Sequence, residues 1–200
     1  MYKSAPTPCT RRSRIAGFSM VELAVSMTVL LILTAIAIPS LMRSFRTYQL
    51  NDAAARLSDM LKFTRFEAVR QNKQINFLMQ ASGTGWLVGT DSNGNGSIDP
   101  KEKQQLIAGF ATLLPSGAPP SSASILAKLG ATSSLDASKS GAAGSVTFDA
   151  RGAVSSLLAY VFYLGSATNP EFGYRAVILL PSGATQIWTA PNGGTWQRIG

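Results

Sequence analysis

The stretch G-F-S-M-V-E-L at Gly17–Leu23 opens an apolar segment that extends to Met42. Between Phe18 and Met42 there are 25 residues, and Glu22 is the only ionisable one. A helix needs about 20 apolar residues to cross the hydrocarbon core of a bilayer. The segment therefore predicts a membrane-spanning helix that carries one acidic residue close to its start.

The residues before this segment are basic. Lys3, Arg11, Arg12 and Arg14 precede it without any acidic residue, which predicts that the short N-terminal end stays in the cytoplasm. A carboxylate in a membrane helix costs about 2.5–3.5 kcal/mol at the centre on insertion scales, and less near an end. Glu22 is therefore a candidate functional residue that needs a positively charged partner.

The basic leader, Gly17, Phe18 and the acid at the fifth position after Gly17 resemble the processing signal of type IV pilins and pseudopilins. The resemblance implies that prepilin peptidase cuts after Gly17 at the inner face of the membrane and N-methylates Phe18. It also implies that Glu22 pairs with the N-terminal amine of a neighbouring subunit during assembly of a helical fibre. Pro39 matches the same pattern and predicts a kink in the helix rather than its end.

Two other interpretations of the N-terminal segment stay open. Ala35–Ala37 has the small-x-small pattern of a secretory cleavage site, but the apolar run is longer than a usual signal-peptide core and leaves Glu22 unexplained. The segment also fits a plain membrane anchor. The spacing of Gly17, Phe18 and Glu22 favours pilin-type processing.

Composition argues against an enzyme and against a disulfide scaffold. The single cysteine, Cys9, lies in the predicted leader, so that the processed chain would have none. The chain has no histidine, no Gly-x-Ser-x-Gly motif and no phosphate-binding glycine loop, and its ten carboxylates are scattered. We therefore expect no catalytic residues.

The net charge of +8 is concentrated in the N-terminal third of the chain. Residues 1–17 hold four basic and no acidic side chains, and residues 43–73 hold seven basic side chains against three acidic ones. Residues 74–200 are close to neutral, which weakens an interpretation as a nucleic-acid-binding domain.

The order of the segments predicts an α+β protein with the lollipop shape of pilins. Residues 1–17 are typical of a removable leader, 18–42 of the membrane or fibre-core half of a long helical spine, and 43–73 of its amphipathic half. Residues 74–200 predict a C-terminal head rich in antiparallel strands, with a flexible Ser/Ala/Gly-rich loop at 115–144.

Alternating apolar residues and turn signals predict the individual elements of the head. A turn is expected at 81–85 and a short helical turn at 125–129. Strands are predicted at 75–79, 86–88, 145–148, 157–164, 175–180 and 185–189.

The head also resembles the H-type minor pseudopilins and their pilus relatives, the GspH/FimT family. The residues that carry this resemblance are the helix Leu57–Arg70, the hairpin from Gly85 to Gly96, Phe148–Gly152 and the late strand at Arg175. The resemblance covers residues 15–110 well and 145–190 loosely. It implies a structural subunit of a fibre.

One loop fits the EF-hand pattern D-x-[DN]-x-[DN]-G-x5-E, which predicts either a weak calcium site or a polar turn. Ca²⁺ prefers six to eight oxygen ligands. The flanking segments predict strands instead of helices, and Asn-Gly pairs are a strong hairpin signal, which favours the turn. The candidate ligands are Asp91, Asn93, Asn95, the Ser97 carbonyl, Asp99 and Glu102.

DNA binding is the alternative function, because some FimT-like subunits are DNA receptors in natural transformation. Such a site needs clustered basic side chains, with aromatic side chains for stacking. This chain offers only Arg175, Trp196 and Arg198, fewer than the arginine-rich tails of the DNA-binding relatives. Packing is the favoured role of Trp188 and Trp196.

The sequence therefore predicts a minor pilin or pseudopilin, inserted in the inner membrane by a single helix with its head in the periplasm. It would join a type II secretion pseudopilus or a type IV pilus. The expected partners are prepilin peptidase, the inner membrane and other pilin-like subunits, which would pack against the N-terminal helix. No cofactor is expected apart from the possible Ca²⁺.

Overall fold

A long helix is followed by antiparallel strands in the computed structural model of the chain, which describes residues 17–115, 117–129 and 144–199. This confirms the predicted α+β class. The predicted leader before Gly17 and positions 130–143 of the predicted flexible loop lie outside the described residues.

The helix α1 extends over Met20–Gln71 and continues through Pro39. The chain divides into two compact units between Leu41 and Met42. In the first unit, α1 is long and apolar enough to cross a membrane, and none of its apolar side chains is buried by the chain itself.

In the second unit, α1 is amphipathic because its apolar side chains recur at helical spacing. Leu50 is the first buried residue along the helix, and Leu57, Leu61 and Ala68 continue the same buried face. The buried face of α1 therefore begins at Leu50 and continues to Ala68. Phe45 and Tyr48, which precede this face in the chain, are 56% and 66% exposed.

The described residues of the head form nine strands, a second α-helix and a short 3-10 helix at Pro170–Phe172. All of the paired strands are antiparallel. One sheet has the order β3-β2-β1-β5 and the other the order β4-β6-β7-β8-β9. The elements are β1 Ile75–Ser82, β2 Gly85–Asp91, β3 Gln104–Ile107, β4 Thr112–Leu113, α2 Ala123–Leu129, β5 Gly144–Phe148, β6 Tyr160–Gly165, β7 Tyr174–Leu179, β8 Thr185–Ala190 and β9 Gln197–Arg198.

Several element boundaries differ from the sequence prediction, and two of these differences are explained by the backbone. The turn expected at 81–85 is shorter, because β1 extends to Ser82 and pairs with Gly85 at the start of β2. The strand expected from Leu157 begins only at Tyr160. Leu157 adopts a positive φ of 56°, a conformation that a strand does not allow.

Both sheets contribute to one large core with the buried face of α1. Phe77 of β1 and Phe162 of β6 meet edge to face, with ring centroids 6.0 Å apart. A second cluster lies on the other face of the β6-β7-β8 sheet, where Ile125 of α2, Trp188 and Trp196 are buried. The packing role predicted for both tryptophans is confirmed.

Candidate functional site

The start of α1 is organised by a capping interaction. Ser19 directly precedes the helix, and its Oγ accepts a hydrogen bond from the backbone N–H of Glu22 at 3.1 Å. The Ser-x-x-Glu spacing is that of a capping box, in which the cap residue satisfies one of the free N–H groups of the first turn. Gly17 and Phe18 lie before the helix, exposed to solvent. The peptide bond between them is therefore outside regular structure.

The position of Glu22 on the first turn gives its charge a favourable local environment, since the helix N-terminus carries a partial positive charge. The structure shows no ion pair for Glu22 among residues 17–115, 117–129 and 144–199. No basic residue occurs between Gly17 and Met42. The partial positive charge of the helix N-terminus therefore helps to explain why an acid is tolerated there.

Three hydroxyl side chains within the apolar half of α1 form hydrogen bonds with the helix backbone itself. The hydroxyls of Ser26, Thr28 and Thr34 donate to backbone carbonyls of the preceding turn, at 2.7, 2.8 and 2.9 Å. Such bonds remove the cost of placing a hydroxyl in hydrocarbon. The helix backbone therefore lowers the cost of placing these three hydroxyl groups in lipid.

The second candidate site is the connection between β2 and β3, which is organised around Asp91. Asp91 is 1% exposed. Its Oδ1 accepts the backbone N–H groups of Gly94 and Asn95 at 2.7 and 3.1 Å, and its Oδ2 accepts that of Gly96 at 3.0 Å and the Asn76 side-chain amide at 3.3 Å. These four bonds use about all the lone-pair directions of a carboxylate.

The pKa of Asp91 follows from these contacts. Burial raises the pKa of the carboxyl group, but the hydrogen bonds from Gly96, Asn76, Gly94 and Asn95 together hold it below its usual range. The group is therefore an ionised acceptor that closes the loop from inside.

Glu102 and Asp99 close the same loop from its other end. Glu102 Oε1 accepts the backbone N–H groups of Ser92 and Asn93 at 2.7 and 3.2 Å, and its Oε2 accepts that of Asp99 at 3.1 Å. Asp99 Oδ2 accepts the side-chain amides of Asn93 and Asn95 at 2.7 and 2.9 Å. The backbone N–H of Ser97 donates to Asn95 Oδ1 at 2.8 Å.

The loop therefore brings together all six residues predicted as calcium ligands. Their carboxylate oxygens, however, accept hydrogen bonds from N–H groups of the loop itself. Among the residues that the structure describes, no three His, Cys, Asp or Glu side chains are placed to hold a metal ion. β2 and β3 are antiparallel neighbours, but residues 92–103 connect them, so the Asn-Gly pairs lie in a long loop and do not form the tight turn of a short hairpin.

The residues predicted for DNA binding are not displayed together. Arg175 is 6% exposed and donates to Asn51 Oδ1, Thr189 Oγ1 and its neighbour's carbonyl at 2.7, 2.7 and 3.0 Å. Trp196 is completely buried, and its Nε1 donates to the Pro120 carbonyl at 3.1 Å. Of the three side chains, only Arg198 is exposed. Burial removes the guanidinium of Arg175 and the ring of Trp196 from any surface that could stack bases.

Sequence analysis missed the polar contacts that join α1 to the two sheets. Thr64 Oγ1 and Thr90 Oγ1 are 2.7 Å apart, and Ser58 Oγ and Thr185 Oγ1 are 2.9 Å apart. Arg65 Nε donates to the Gly152 carbonyl at 3.0 Å. These partners are far apart in the chain, and only the Thr and Ser residues within an apolar helical face could have indicated them.

A buried acid near the C-terminal end of α1 was also missed. Glu67 is 8% exposed and accepts hydrogen bonds from the side chains of Arg70 and Gln71. The bond from Arg70 is the main cause that lowers its pKa to about 2. The i,i+3 spacing of Glu67 and Arg70 was a signal for this pair.

Comparisons with known proteins agree with these observations. Residues 53–183 match the family described as Type II transport protein GspH, and residues 12–38 match the prokaryotic N-terminal methylation motif. The first match covers more than half of the chain. A comparison with curated proteins gave no significant match.

Two solved crystal forms of the type IV minor pilin FimU from Pseudomonas aeruginosa are similar to the chain. One is 18% identical, with 76% of this chain and 93% of FimU covered and a TM-score of 0.48. The other is 19% identical, with 69% and 91% covered and a TM-score of 0.47. With the methylation motif, the apolar helix and the GspH match taken together, the chain belongs to the GspH family of pilin-like minor subunits.

Proposed function

We propose that this GspH-family chain is made as a precursor that prepilin peptidase cleaves between Gly17 and Phe18. The enzyme then N-methylates Phe18, and the mature subunit is held in the inner membrane by α1 with its head in the periplasm. It finally enters the pseudopilus of a type II secretion system, or a type IV pilus. The observation that carries this proposal is Glu22, an ionisable side chain at the start of an apolar helix that forms no ion pair with any residue the structure describes.

The geometry of the cleavage position supports processing. A protease needs an extended and accessible backbone at the bond that it cuts, and Gly17 and Phe18 are exposed ahead of the first helical turn. Apart from its chain neighbours, no residue that the structure describes lies within 4 Å of the position where a Cβ on Gly17 would be. A requirement for glycine there would therefore come from the peptidase and not from packing within the chain.

The role proposed for Glu22 follows from the cost of its charge. Removal of the leader creates a new amine on Phe18, and a carboxylate in an apolar bundle is stabilised by a nearby cation. The amine of an incoming neighbour supplies one. Assembly also moves apolar surface from lipid into a bundle of helices, where small residues permit close packing. Those available on α1 include Ala24, Ser26, Ala35 and Ala37.

The processing step is tested by Gly17→Arg. We expect the wild-type protein to begin at an N-methylated Phe18, and the variant to keep its leader, because the resemblance to pilins implies that the peptidase recognises glycine at this position. Mass spectrometry of the purified membrane protein identifies the first residue of each. A wild-type chain that begins at Met1 would indicate a plain anchor, and one that begins at Ile38 would indicate signal-peptidase cleavage; either result contradicts the proposal.

We further propose that the 91–102 loop is a turn closed by its own hydrogen bonds and needs no calcium. The thermal midpoint of the full chain in detergent, followed by tryptophan fluorescence, should be the same in a chelator and in millimolar Ca²⁺. A bound ion would raise the free energy of unfolding by RT ln(1 + [L]/Kd) and would therefore raise the thermal midpoint. A rise that occurs in the wild type and disappears in Glu102→Gln would contradict the turn and assign a calcium site.

A further inference from the structure

Three Asn-Gly pairs occur in the head, at Asn93–Gly94, Asn95–Gly96 and Asn192–Gly193. Asn-Gly is the sequence most prone to spontaneous deamidation, because glycine lacks the Cβ that would hinder its backbone nitrogen. In this reaction the glycine nitrogen attacks the Asn side-chain carbonyl carbon. The reaction therefore requires a free backbone N–H and a side-chain amide that can turn toward it.

The two pairs in the 91–102 loop meet neither requirement. The N–H groups of Gly94 and Gly96 are donated to the carboxylate of Asp91, at 2.7 and 3.0 Å. The side chain of Asn93 is held at both ends, since its Nδ2 donates to Asp99 and its Oδ1 accepts the N–H of Asn95. Asn95 is held in the same manner by Asp99 and Ser97. In both pairs the hydrogen bonds therefore hold the glycine nitrogen and the Asn side-chain amide in place, so that the amide cannot turn toward the nitrogen.

The third pair lies in an exposed turn between β8 and β9 that leaves it unrestrained. The turn is closed by a hydrogen bond from the Gly194 N–H to the Pro191 carbonyl at 3.0 Å. Within the part of the chain that the structure describes, the Gly193 N–H and the Asn192 side chain have no hydrogen-bond partner. Asn192 and Gly193 are both exposed, and the space around the Cβ position of Gly193 is open.

We propose that Asn192 is a site of spontaneous deamidation, and that Asp91 protects the two Asn-Gly pairs of the other loop. The Gly193 nitrogen forms a bond to Cγ of Asn192, the Cγ–Nδ2 bond breaks, and ammonia leaves with the proton lost from the Gly193 N–H. Water then opens the cyclic imide, which leaves either an aspartyl or an isoaspartyl residue at position 192. No oxidant, metal or enzyme is required.

Deamidation at Asn192 would change the turn that leads into the C-terminal tail. Trp196 follows four residues later and anchors the tail, because its backbone N–H donates to Ser124 Oγ at 3.0 Å and its carbonyl accepts a bond from Lys128 Nζ at 3.1 Å. The isoaspartyl product inserts an extra methylene into the main chain of the turn that leads to this anchor. Both products add a negative charge to an exposed turn.

The test is a time course of the full chain in detergent, in mildly alkaline buffer at physiological temperature. Trypsin separates the two regions, because peptide 74–101 holds Asn93 and Asn95 and peptide 176–198 holds Asn192. Fragment spectra then locate each deamidation. We expect Asn192 to deamidate about tenfold or more faster than Asn93 and Asn95, since each protected glycine N–H is bonded to a buried carboxylate.

The same incubation in concentrated urea is the control for intrinsic reactivity, because unfolding removes the protection. There the three sites should deamidate at similar rates. The variant Asp91→Ala, if it folds, should accelerate deamidation at Asn93 and Asn95 in native buffer. Equal rates at the three sites in the native wild type, or a slower rate at Asn192, would overturn the proposal.

Discussion

Glu22→Gln is expected to reduce incorporation of the subunit into fibres by about tenfold or more, because it removes the charge that we propose pairs with the amine of a neighbouring subunit. Gln is nearly isosteric with Glu and is also accepted at the third position of a capping box. The hydrogen bond from the Glu22 backbone N–H to Ser19 Oγ does not involve the side chain and should persist. Membrane insertion should therefore be unchanged, since the variant helix is more apolar than the wild type.

Ser19→Ala provides the matched control, because it removes the cap and leaves the charge. Loss of an N-cap hydroxyl costs about 0.5–2 kcal/mol of local helix stability. If Glu22 acts only in capping and with the helix dipole, the two variants should impair assembly alike. If Glu22 pairs between subunits, Ser19→Ala should assemble nearly normally and Glu22→Gln should not. Immunoblots of sheared fibres against membrane fractions measure the distribution, and normal incorporation of Glu22→Gln would refute the pairing.

Much of the fold could be predicted because its strongest determinants are patterns among residues close together in the sequence. The apolar segment after Phe18 and the periodic residues from Leu57 to Ala68 depend only on neighbours in sequence, and α1 has both features. Leu157 shows where local patterns fail. Its alternation with later apolar residues predicts a strand, but the chain turns there with a positive φ before β6 begins at Tyr160.

The candidate site residues also differ in whether local sequence or long-range contacts determine them. The spacing of Gly17, Phe18 and Glu22 is visible in the sequence, and Ser19 could have been recognised as the cap from the Ser-x-x-Glu pattern. The burial of Arg175 could not, because its acceptor Asn51 lies on α1 and is 124 positions away. No short-range pattern records such a contact. A basic residue near the C-terminus therefore resembled a surface residue in the sequence.

Asp91→Ala is expected to be the most destabilising single substitution in the β2-β3 connection. It leaves the N–H groups of Gly94, Asn95 and Gly96 and the Asn76 amide without their common acceptor. Hydrogen bonds to charged groups contribute about 1.5–3 kcal/mol each at most, and water can replace part of this in an exposed loop. We therefore expect a loss of about 2–4 kcal/mol, which for a chain of this size lowers Tm by about 5–15 °C.

Asp99→Ala is the control within the same loop. Asp99 is less buried and accepts side-chain amides from Asn93 and Asn95, both of which are exposed and can bond to water instead. Its replacement should cost less than about 1 kcal/mol. Thermal unfolding of the full chain in detergent, followed by tryptophan fluorescence, reports on the head because all three tryptophans lie at positions 86, 188 and 196. If the two variants lose equal stability, the carboxylate of Asp91 is not what holds the loop, because charge removal alone would then account for both.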